Sequence, residues 1–255
     1  MRLGTFNILH GRSWDDGVVD LDRFAAAVRG LDCDVLALQE VDRAQARSGG
    51  DDLAAVAARA MGAVEHRFTA AVHGTPGSSW VPATGDEPAG SPAYGVALLS
   101  RHPVRSWHVV RLPALRGYVP MFVPGRRRPL LIRDEPRVAV AALVESPLGT
   151  MTVVSTHLTF VPGANTRQLR RLVRELAGCR RPLILMGDLN TGPGGARRAS
   201  GLQVLAKGAT FPVGRPRRQL DHILADGLTT SAELRSQTVR TPVSDHRALV
   251  VDLEA

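Results

Sequence analysis

Short apolar runs that end in polar residues recur along the chain and predict buried β-strands. The clearest run spans residues 182–190, Pro-Leu-Ile-Leu-Met-Gly-Asp-Leu-Asn, and its apolar part has the length of a strand. If the chain stays extended to the end of this run, Asp188 and Asn190 point to the same side and Leu189 points back into the protein. The alternative is that both polar residues form a turn with residues 191–194, and this run alone leaves both interpretations open.

The other apolar patterns predict an alternation of strands and helices. Residues 34–42 are nearly all apolar, which is typical of a strand covered on both faces. Residues 19–31 carry apolar side chains at helical spacing, with acidic residues near the start and Gly30 near the end. Further strands are predicted at 2–7, 66–71, 95–101, 107–111, 137–145, 150–156, 219–224 and 248–253, and further helices at 51–61 and 165–176.

Segments rich in Gly, Pro, Ser or Arg predict loops between these elements. They are residues 73–93, where Trp80 is isolated, 113–136, which contain Arg126, Arg127 and Arg128, 192–201, which include a short helix, and 208–218. For the three consecutive arginines a solvated loop is favoured over a basic loop that faces substrate. The chain shows no internal repeat and no convincing linker, so we expect a single domain over residues 1–255.

The positive charge of the chain has two explanations. A formal net charge of +8 invites a polyanionic partner such as nucleic acid or an acidic membrane surface. Lys207 is the only lysine, however, so nearly all of the positive charge is arginine, in a chain that is also rich in Ala, Gly, Pro and Val. This skew is typical of a genomic base composition, and we favour that explanation over a dedicated nucleic-acid surface.

The remaining composition is that of an ordinary globular protein. Cys33 and Cys179 are far apart and lack metal-ligand spacing, which favours two buried thiols over a disulfide or a zinc site. No apolar run has the length of a membrane span, and residues 1–7 look like a strand and not like a signal peptide. We therefore expect a cytoplasmic protein, and we expect it to be a monomer.

Polar residues stand at the ends of several predicted strands, where side chains of a covered sheet meet at one rim. These residues are Asn7, Glu40, His157, Asp188, Asn190, Asp221, Asp245 and His246. Each has an ordinary explanation as a turn former, a surface charge, a loop cap or a core histidine, but those explanations would all have to hold together. Oxygen ligands without Cys or a His pair favour Mg²⁺ or Mn²⁺ over zinc. Acid, amide and imidazole groups also supply what phosphoryl transfer requires.

Six short motifs, in chain order, resemble those of the endonuclease/exonuclease/phosphatase superfamily. They are Phe6-Asn7-Ile8, Leu38-Gln39-Glu40-Val41, Thr156-His157-Leu158, Gly187-Asp188-Leu189-Asn190, Leu220-Asp221-His222-Ile223 and Ser244-Asp245-His246. The superfamily includes deoxyribonucleases, abasic-site endonucleases, sphingomyelinases, inositol-polyphosphate 5-phosphatases and deadenylases. The resemblance implies an α/β (α+β) fold: a four-layer sandwich of two mixed β-sheets packed face to face, with helices outside and the active site at one end of the sheets.

The resemblance also implies a metal side and a water-activating side of the site. Glu40 would be the principal Mg²⁺ ligand, with Asn7 beside it on metal-bound water or phosphate. Asp245 could join the metal shell. Asp188 would orient or deprotonate the attacking water, and Asn190 would hold that water and the transition-state oxygens.

The remaining roles concern the phosphate. His246 would donate to the scissile phosphate, and Asp221 would fix its tautomer through the other ring nitrogen. His157 would face the leaving group. Arg137 is a weaker candidate for a phosphate contact, and for His10 an exposed loop histidine is favoured over such a contact.

Two departures narrow the subfamily. Abasic-site endonucleases carry an acidic residue where this chain has Leu9, and they lack a histidine at the position of His157, so that branch is disfavoured. No lipid-binding β-hairpin is identified in the sequence, which weakens the assignment of the chain as a secreted sphingomyelinase.

The sequence thus predicts a Mg²⁺-dependent phosphoester hydrolase, foremost a nuclease-like phosphodiesterase in which water attacks in line. The expected partner is a phosphoester substrate, with nucleic acid as one candidate. The alternatives are an enzyme of the same superfamily that acts on a small molecule or phospholipid, and an inactive relative that binds nucleic acid or protein.

Overall fold

A computed structural model describes residues 1–121, 128–228 and 234–254. Its strands are β1 (Arg2–Asn7), β2 (Val35–Arg43), β3 (Glu65–Gly74), β4 (Trp80–Pro82), β5 (Ala93–Ser100), β6 (Val104–Leu112), β7 (Tyr118–Met121), β8 (Leu130–Arg133), β9 (Arg137–Ser146), β10 (Gly149–His157), β11 (Leu183–Asp188), β12 (Gln203–Val204), β13 (Asp221–Asp226), β14 (Arg235–Val239) and β15 (Ala248–Asp252). Its α-helices are α1 (Leu21–Leu31), α2 (Leu53–Met61), α3 (Ala164–Glu175) and α4 (Pro193–Ser200). Arg126 and Arg127 of the predicted basic loop lie outside the described residues.

Two large mixed sheets form the centre of the molecule. One has seven strands in the order β14-β15-β1-β2-β5-β3-β4, and the other has six in the order β12-β13-β11-β10-β9-β6. Each contains one parallel pair, β1 with β2 and β10 with β11, and the other pairings of these sheets are antiparallel. Apolar side chains of both sheets form a common buried core, for example Leu3, Val35 and Leu98 against Val140, Val153 and Ile184.

Helices cover the outer faces of both sheets. Helices α1 and α2 bury Phe24 and Leu53 against the outer face of the seven-stranded sheet, and α3 and α4 bury Leu169 and Ala196 against the other. Helix α1 begins after Asp20, whose carboxylate accepts the Arg23 amide at 2.9 Å. The expected four layers of helix, sheet, sheet and helix are therefore confirmed. No helix in the described ranges has the length and apolar character that a membrane span requires.

The structure corrects two predictions about loops. Residues 113–136 were predicted as a loop, but β7 and β8 pair there as a separate two-stranded antiparallel sheet. The sequence hid this hairpin because Pro120 stands in β7 and because neither strand is fully buried, so no apolar run marks it. Residues 80–82 likewise form a short strand, which pairs with the end of β3.

Strand register places the predicted polar residues at one rim of the sandwich. His157 of β10 lies opposite Asp188 of β11, which in turn lies opposite Asp221 of β13. Gly187 permits this pairing, because a Cβ atom at that position would lie 2.0 Å from the carbonyl oxygen of Thr156. The alignment of these three side chains is a consequence of the β10-β11-β13 order.

Candidate active site

A pocket of about 580 Å³ opens at this rim. Most of the residues predicted from the sequence line it, namely Glu40, Arg137, His157, Asp188, Asn190, Asp245 and His246. Asn7 and Asp221 lie beneath them and are 1% and 0% exposed. Residues from distant parts of the chain, from Glu40 to His246, therefore meet in one cavity.

Glu40 reaches the pocket through an irregularity in β2. The register with β5 shifts between Gln39 and Val41, and Glu40 between them has a left-handed φ of +56°. A bulge of this kind redirects a single side chain without breaking the strand. The carboxylate then accepts a hydrogen bond of 2.9 Å from Nδ2 of Asn7.

Asn7 connects two carboxylates. Its Nδ2 also donates to Oδ2 of Asp188 at 3.1 Å, and its Oδ1 accepts the Leu9 amide at 3.2 Å. Burial raises the pKa of Glu40, and the nearby charge of Asp245 raises it further, while the Asn7 hydrogen bond opposes both. The carboxylates of Glu40, Asp188 and Asp245 thus lie near one another, and the single amide group of Asn7 does not compensate their negative charge.

This crowding fits a divalent cation with oxygen ligands. Glu40 and Asp245 would hold it, because they offer carboxylate oxygens at the pocket wall. Asn7 would keep Glu40 in position through Nδ2, because its Oδ1 faces the Leu9 amide. Asp188, Asp221 and His246 also bring one ligand atom each within 4.8 Å of one another. That second cluster is a poorer cation site, because its imidazole is hydrogen-bonded to Asp221 and holds a proton.

His246 and Asp221 form a buried dyad. Nδ1 of His246 lies 2.8 Å from Oδ2 of Asp221, and the side chains are 7% and 0% exposed. Burial disfavours the charged ring, but the charge and hydrogen bond of Asp221 outweigh it and raise the pKa of His246 to about 10. The ring is therefore a cation at neutral pH and directs Nε2 toward Asp188, 3.8 Å away.

Asp188 and Asn190 share the pocket, although the strand ends at Asp188. Asn190 has a left-handed φ of +50°, and its backbone N–H donates to Oδ1 of Asp188 at 2.9 Å. Its side-chain Nδ2 donates to the carbonyl of Leu158 at 3.0 Å. The sequence left open whether the chain stays extended through Asn190 or turns after Asp188. The chain turns at Asn190, and both side chains nevertheless lie in one pocket, as the extended interpretation predicted. Burial, followed by the charge of Asp221, raises the pKa of Asp188.

His157 is a neutral ring at neutral pH. Burial lowers its pKa well below the ordinary value, and the charges of Arg137 and His246 lower it further. Nε2 lies 3.3 Å from Nδ2 of Asn190, which can donate to it in the tautomer that leaves Nε2 without a proton, and 3.6 Å from Oδ2 of Asp188. His157 can therefore accept from Asn190 while its ring borders the cavity.

Arg137 is a buried cation without a hydrogen bond to any described residue. Its side chain is 8% exposed, and its Nε is buried without a partner. The nearest carboxylate oxygen is Oδ1 of Asp134, 4.0 Å away, and that carboxylate already accepts the Thr159 hydroxyl at 2.7 Å and the Leu115 amide at 2.9 Å. A guanidinium of this kind at a pocket wall requires an anion.

His10 lies outside this pocket. It borders an adjoining groove of about 860 Å³ that shares Glu40, Tyr94 and Arg133 with the 580 Å³ pocket, the candidate catalytic pocket. Burial, and then the charge of Arg47, lowers the pKa of His10 to about 4. The ring is neutral there, so it is a poorer phosphate contact than Arg137.

Several lining residues were missed by the sequence analysis. Tyr94 stands at the junction of pocket and groove, and the ring of Phe211 lies 4.9 Å from that of His246. Arg133 and Arg218 also line the pocket. Phe211 and Arg218 come from an irregular segment without periodicity, so no sequence signal could have identified them. Tyr94 could have been identified, because it stands at the start of β5, the strand that pairs with β2.

The chain matches the model of the endonuclease/exonuclease/phosphatase family over residues 4–246. No curated protein matches its sequence. A solved endonuclease/exonuclease/phosphatase from Beutenbergia cavernae has a TM-score of 0.67 and 24% identity, covering 98% of this chain and 70% of the other.

Two further solved structures have the same fold at lower identity. A mannosyl-6-phosphatase from Bacteroides thetaiotaomicron has a TM-score of 0.64 and 14% identity, with both chains fully covered. Sphingomyelinase C from Streptomyces griseocarneus has a TM-score of 0.62 and 16% identity, with 98% of each chain covered. At these identities the similarity establishes the fold alone.

Proposed function

Because the chain belongs to the endonuclease/exonuclease/phosphatase family, whose members are hydrolases of phosphoester bonds, we propose that it is a Mg²⁺-dependent phosphodiesterase of the nuclease-like type. The supporting observation is the convergence of Asp188, the Asp221–His246 dyad and Arg137 beside Glu40 in one pocket, with the Arg137 guanidinium forming no hydrogen bond to a described residue. This combination provides a base, a hydrogen-bond donor and a cation on different sides of a space that can contain a phosphate.

Glu40 and Asp245 would hold the cation, as their neighbouring carboxylates suggest, and Asn7 beside them would position Glu40. When bound, Mg²⁺ or Mn²⁺ would neutralise negative charge on the phosphoryl oxygens. Asp188 adjoins this group, because it accepts from the same Nδ2 of Asn7 as Glu40 does.

Asp188 is the general base in this proposal. Its carboxylate takes a proton from water as the water oxygen forms a bond to phosphorus, and the bond from phosphorus to the leaving oxygen breaks. Its raised pKa makes it a stronger base than an ordinary aspartate once it is ionised. Asn190, fixed by its bonds to Leu158 and Asp188, would orient the water.

The cationic ring of His246 would donate from Nε2 to a nonbridging oxygen, with its other nitrogen held by Asp221. Arg137 would bind a second nonbridging oxygen, which gives its guanidinium the hydrogen-bond partner that it lacks among the described parts of the chain. His157 would lie beside the leaving oxygen.

The test is Mg²⁺-dependent hydrolysis of bis-nitrophenyl phosphate. Asp188→Ala should lower the rate by ~10²–10⁴-fold, the contribution of a general base, while circular dichroism shows an unchanged fold. Asp226→Ala is the matched control, because that carboxylate is 43% exposed and pairs with Arg181 away from the pocket. Equal turnover by the two variants would exclude Asp188 as the base.

The substrate requires a panel of DNA, RNA, nucleotide diesters, sphingomyelin, inositol phosphates and sugar phosphates, with Glu40→Gln as the blank. Structural neighbours are named as a mannosyl-6-phosphatase and a sphingomyelinase, so activity confined to sugar phosphates or lipids would favour the alternative of a small-molecule or phospholipid hydrolase. An inactive relative is disfavoured because Glu40, Asp188, Asn190 and His246 are all present. No turnover and no binding of Mg²⁺ or Mn²⁺ would support it.

A further inference from the structure

A second pocket lies at the edge of the sandwich, where β3 and β6 come together. It has a volume of about 460 Å³ and shares no lining residue with the catalytic pocket, and we call it the edge pocket. Three arginines line it from three different strands, Arg43 of β2, Arg67 of β3 and Arg111 of β6. Two of these strands belong to the first sheet and the third belongs to the second, so the cluster exists only in the folded sandwich.

Neutral contacts hold the three guanidinium groups in place. Arg43 lies over the ring of Phe68, 4.8 Å from its centroid, and Arg67 lies 5.8 Å from the ring centroid of Trp107. Arg111 donates from Nη1 to the carbonyl of Ala70 at 3.1 Å. Rings and carbonyls orient a guanidinium but leave its full positive charge.

None of the three arginines has a described carboxylate within 4.0 Å. The one acidic residue of the edge pocket is Glu87, whose carboxylate accepts the backbone amide of Gly85 at 3.1 Å and also that of Thr84. Its charge is thus engaged by its own loop. With three guanidinium groups and one carboxylate, the formal charge of the pocket is +2.

Two buried donors at the wall of the edge pocket add to this imbalance. Nε of Arg43 and the hydroxyl of Thr69 have no hydrogen-bond partner among the described residues. Buried polar groups without partners are uncommon in folded proteins. Thr69 is 6% exposed, so a ligand in the pocket is the simplest way to complete this region.

We infer that the edge pocket is an anion site that binds a phosphate dianion. A charge of −2 complements the formal +2, and the planar fork of a guanidinium pairs with two phosphate oxygens at once. The phosphate could be free inorganic phosphate or the terminal phosphomonoester of a nucleic-acid strand, since both present a dianionic phosphate to the arginines. The inference is independent of the proposed phosphodiesterase activity.

Trp107 provides a reporter for this site, because Arg67 lies over its ring. Inorganic phosphate titrated at constant ionic strength should change the tryptophan fluorescence in a saturable way. The response should survive in Trp80→Phe, which alters the groove beside the catalytic pocket, and should be lost in Trp107→Phe. A response lost in Trp80→Phe and kept in Trp107→Phe would place the binding at the catalytic side and overturn the inference.

Arg111→Gln and Arg43→Gln should each weaken phosphate binding by at least ~10-fold, the loss of one charge-assisted contact. Arg170→Gln, on the outer helix α3, is the charge-matched control and should bind as the wild type does. Equal affinities in the three variants, or no saturable response in the wild type, would refute the site. A short 5′-phosphorylated oligothymidylate is the second arm, with the same strand lacking the 5′-phosphate as its control. Competition with inorganic phosphate only by the phosphorylated strand indicates a strand-end phosphate as the source, and no competition by either indicates the free anion.

Discussion

Replacing Asp221 by Asn tests how the protein keeps His246 protonated. The two side chains are buried and 2.8 Å apart, and the substitution removes one charge at nearly constant shape. Burial disfavours the imidazolium, yet its pKa of about 10 exceeds the ordinary 6.5. At roughly 1.4 kcal/mol per pKa unit, the surrounding carboxylates, Asp221 first, stabilise the charged ring by on the order of 4 to 5 kcal/mol beyond the cost of burial.

The sign of the expected change follows from which form is active. His246 acts as a donor when protonated, so activity is present below its pKa and is lost as pH rises through it. Asp221→Asn lowers that pKa, which moves the alkaline limb of the profile to lower pH by at least ~2 units. The same carboxylate raises the pKa of Asp188, whose ionised form is active, so the acid limb should also move to lower pH.

The assay is the pH dependence of kcat/KM for methyl p-nitrophenyl phosphate with Mg²⁺ at constant ionic strength. Activity at the optimum should fall by ~10²–10⁴-fold, because the ring loses its fixed orientation. Asp226→Asn, at the other end of β13, should leave both limbs in place. An unchanged alkaline limb in Asp221→Asn would refute the assignment of His246 as the cationic donor held by Asp221.

Three further substitutions test other parts of the site. Mg²⁺ should stabilise the wild type by about 2.7 kcal/mol at a hundredfold excess over Kd and thereby raise its Tm, and Glu40→Gln should abolish this rise in Tm. An undiminished rise in the variant would exclude Glu40 as a ligand. Arg137→Gln should raise KM by ~10–100-fold without lowering Tm, because the side chain forms no hydrogen bond to any residue that the structure describes; a lower Tm with unchanged KM would indicate a structural role. Gly187→Ala should destabilise by ~3 kcal/mol or more in urea unfolding, since its Cβ would meet the Thr156 carbonyl at φ +155°; wild-type stability would contradict that contact.

The sequence predicted most of the central strands and three of the four described α-helices within a few residues, because their burial leaves a pattern of apolar positions. The fourth, α4, was predicted as a short helix within residues 192–201. Helix α1, for example, was predicted at 19–31 and spans Leu21–Leu31. The apolar pattern did not predict β14 or the β7–β8 hairpin, because the residues of these strands are exposed or alternate between exposed and partly buried. Edge strands of this kind are held by pairing with a neighbour, and pairing leaves little trace in the local sequence.

The candidate site divides in the same way. Its acids, amides and histidines were found because each ends a buried strand or stands in a motif, and the structure brings all of them except His10 to the pocket or directly beneath it. Phe211 and Arg218 were not found, since they reach the pocket from an irregular segment. Arg137 was a weak candidate by sequence, and only the missing hydrogen-bond partner makes it a strong one.

The sequence by itself determined the chemistry that the protein carries, because residue types and strand ends are local properties of the chain. The tertiary structure alone decided the charge state of that chemistry and the surroundings in which it acts. Whether an imidazole is a cation, as in His246, or neutral, as in His157, depends on which carboxylates and guanidinium groups lie within a few ångströms of a buried ring. Those neighbours come from distant strands, and sheet order and register, which arise from packing across the whole core, bring them together.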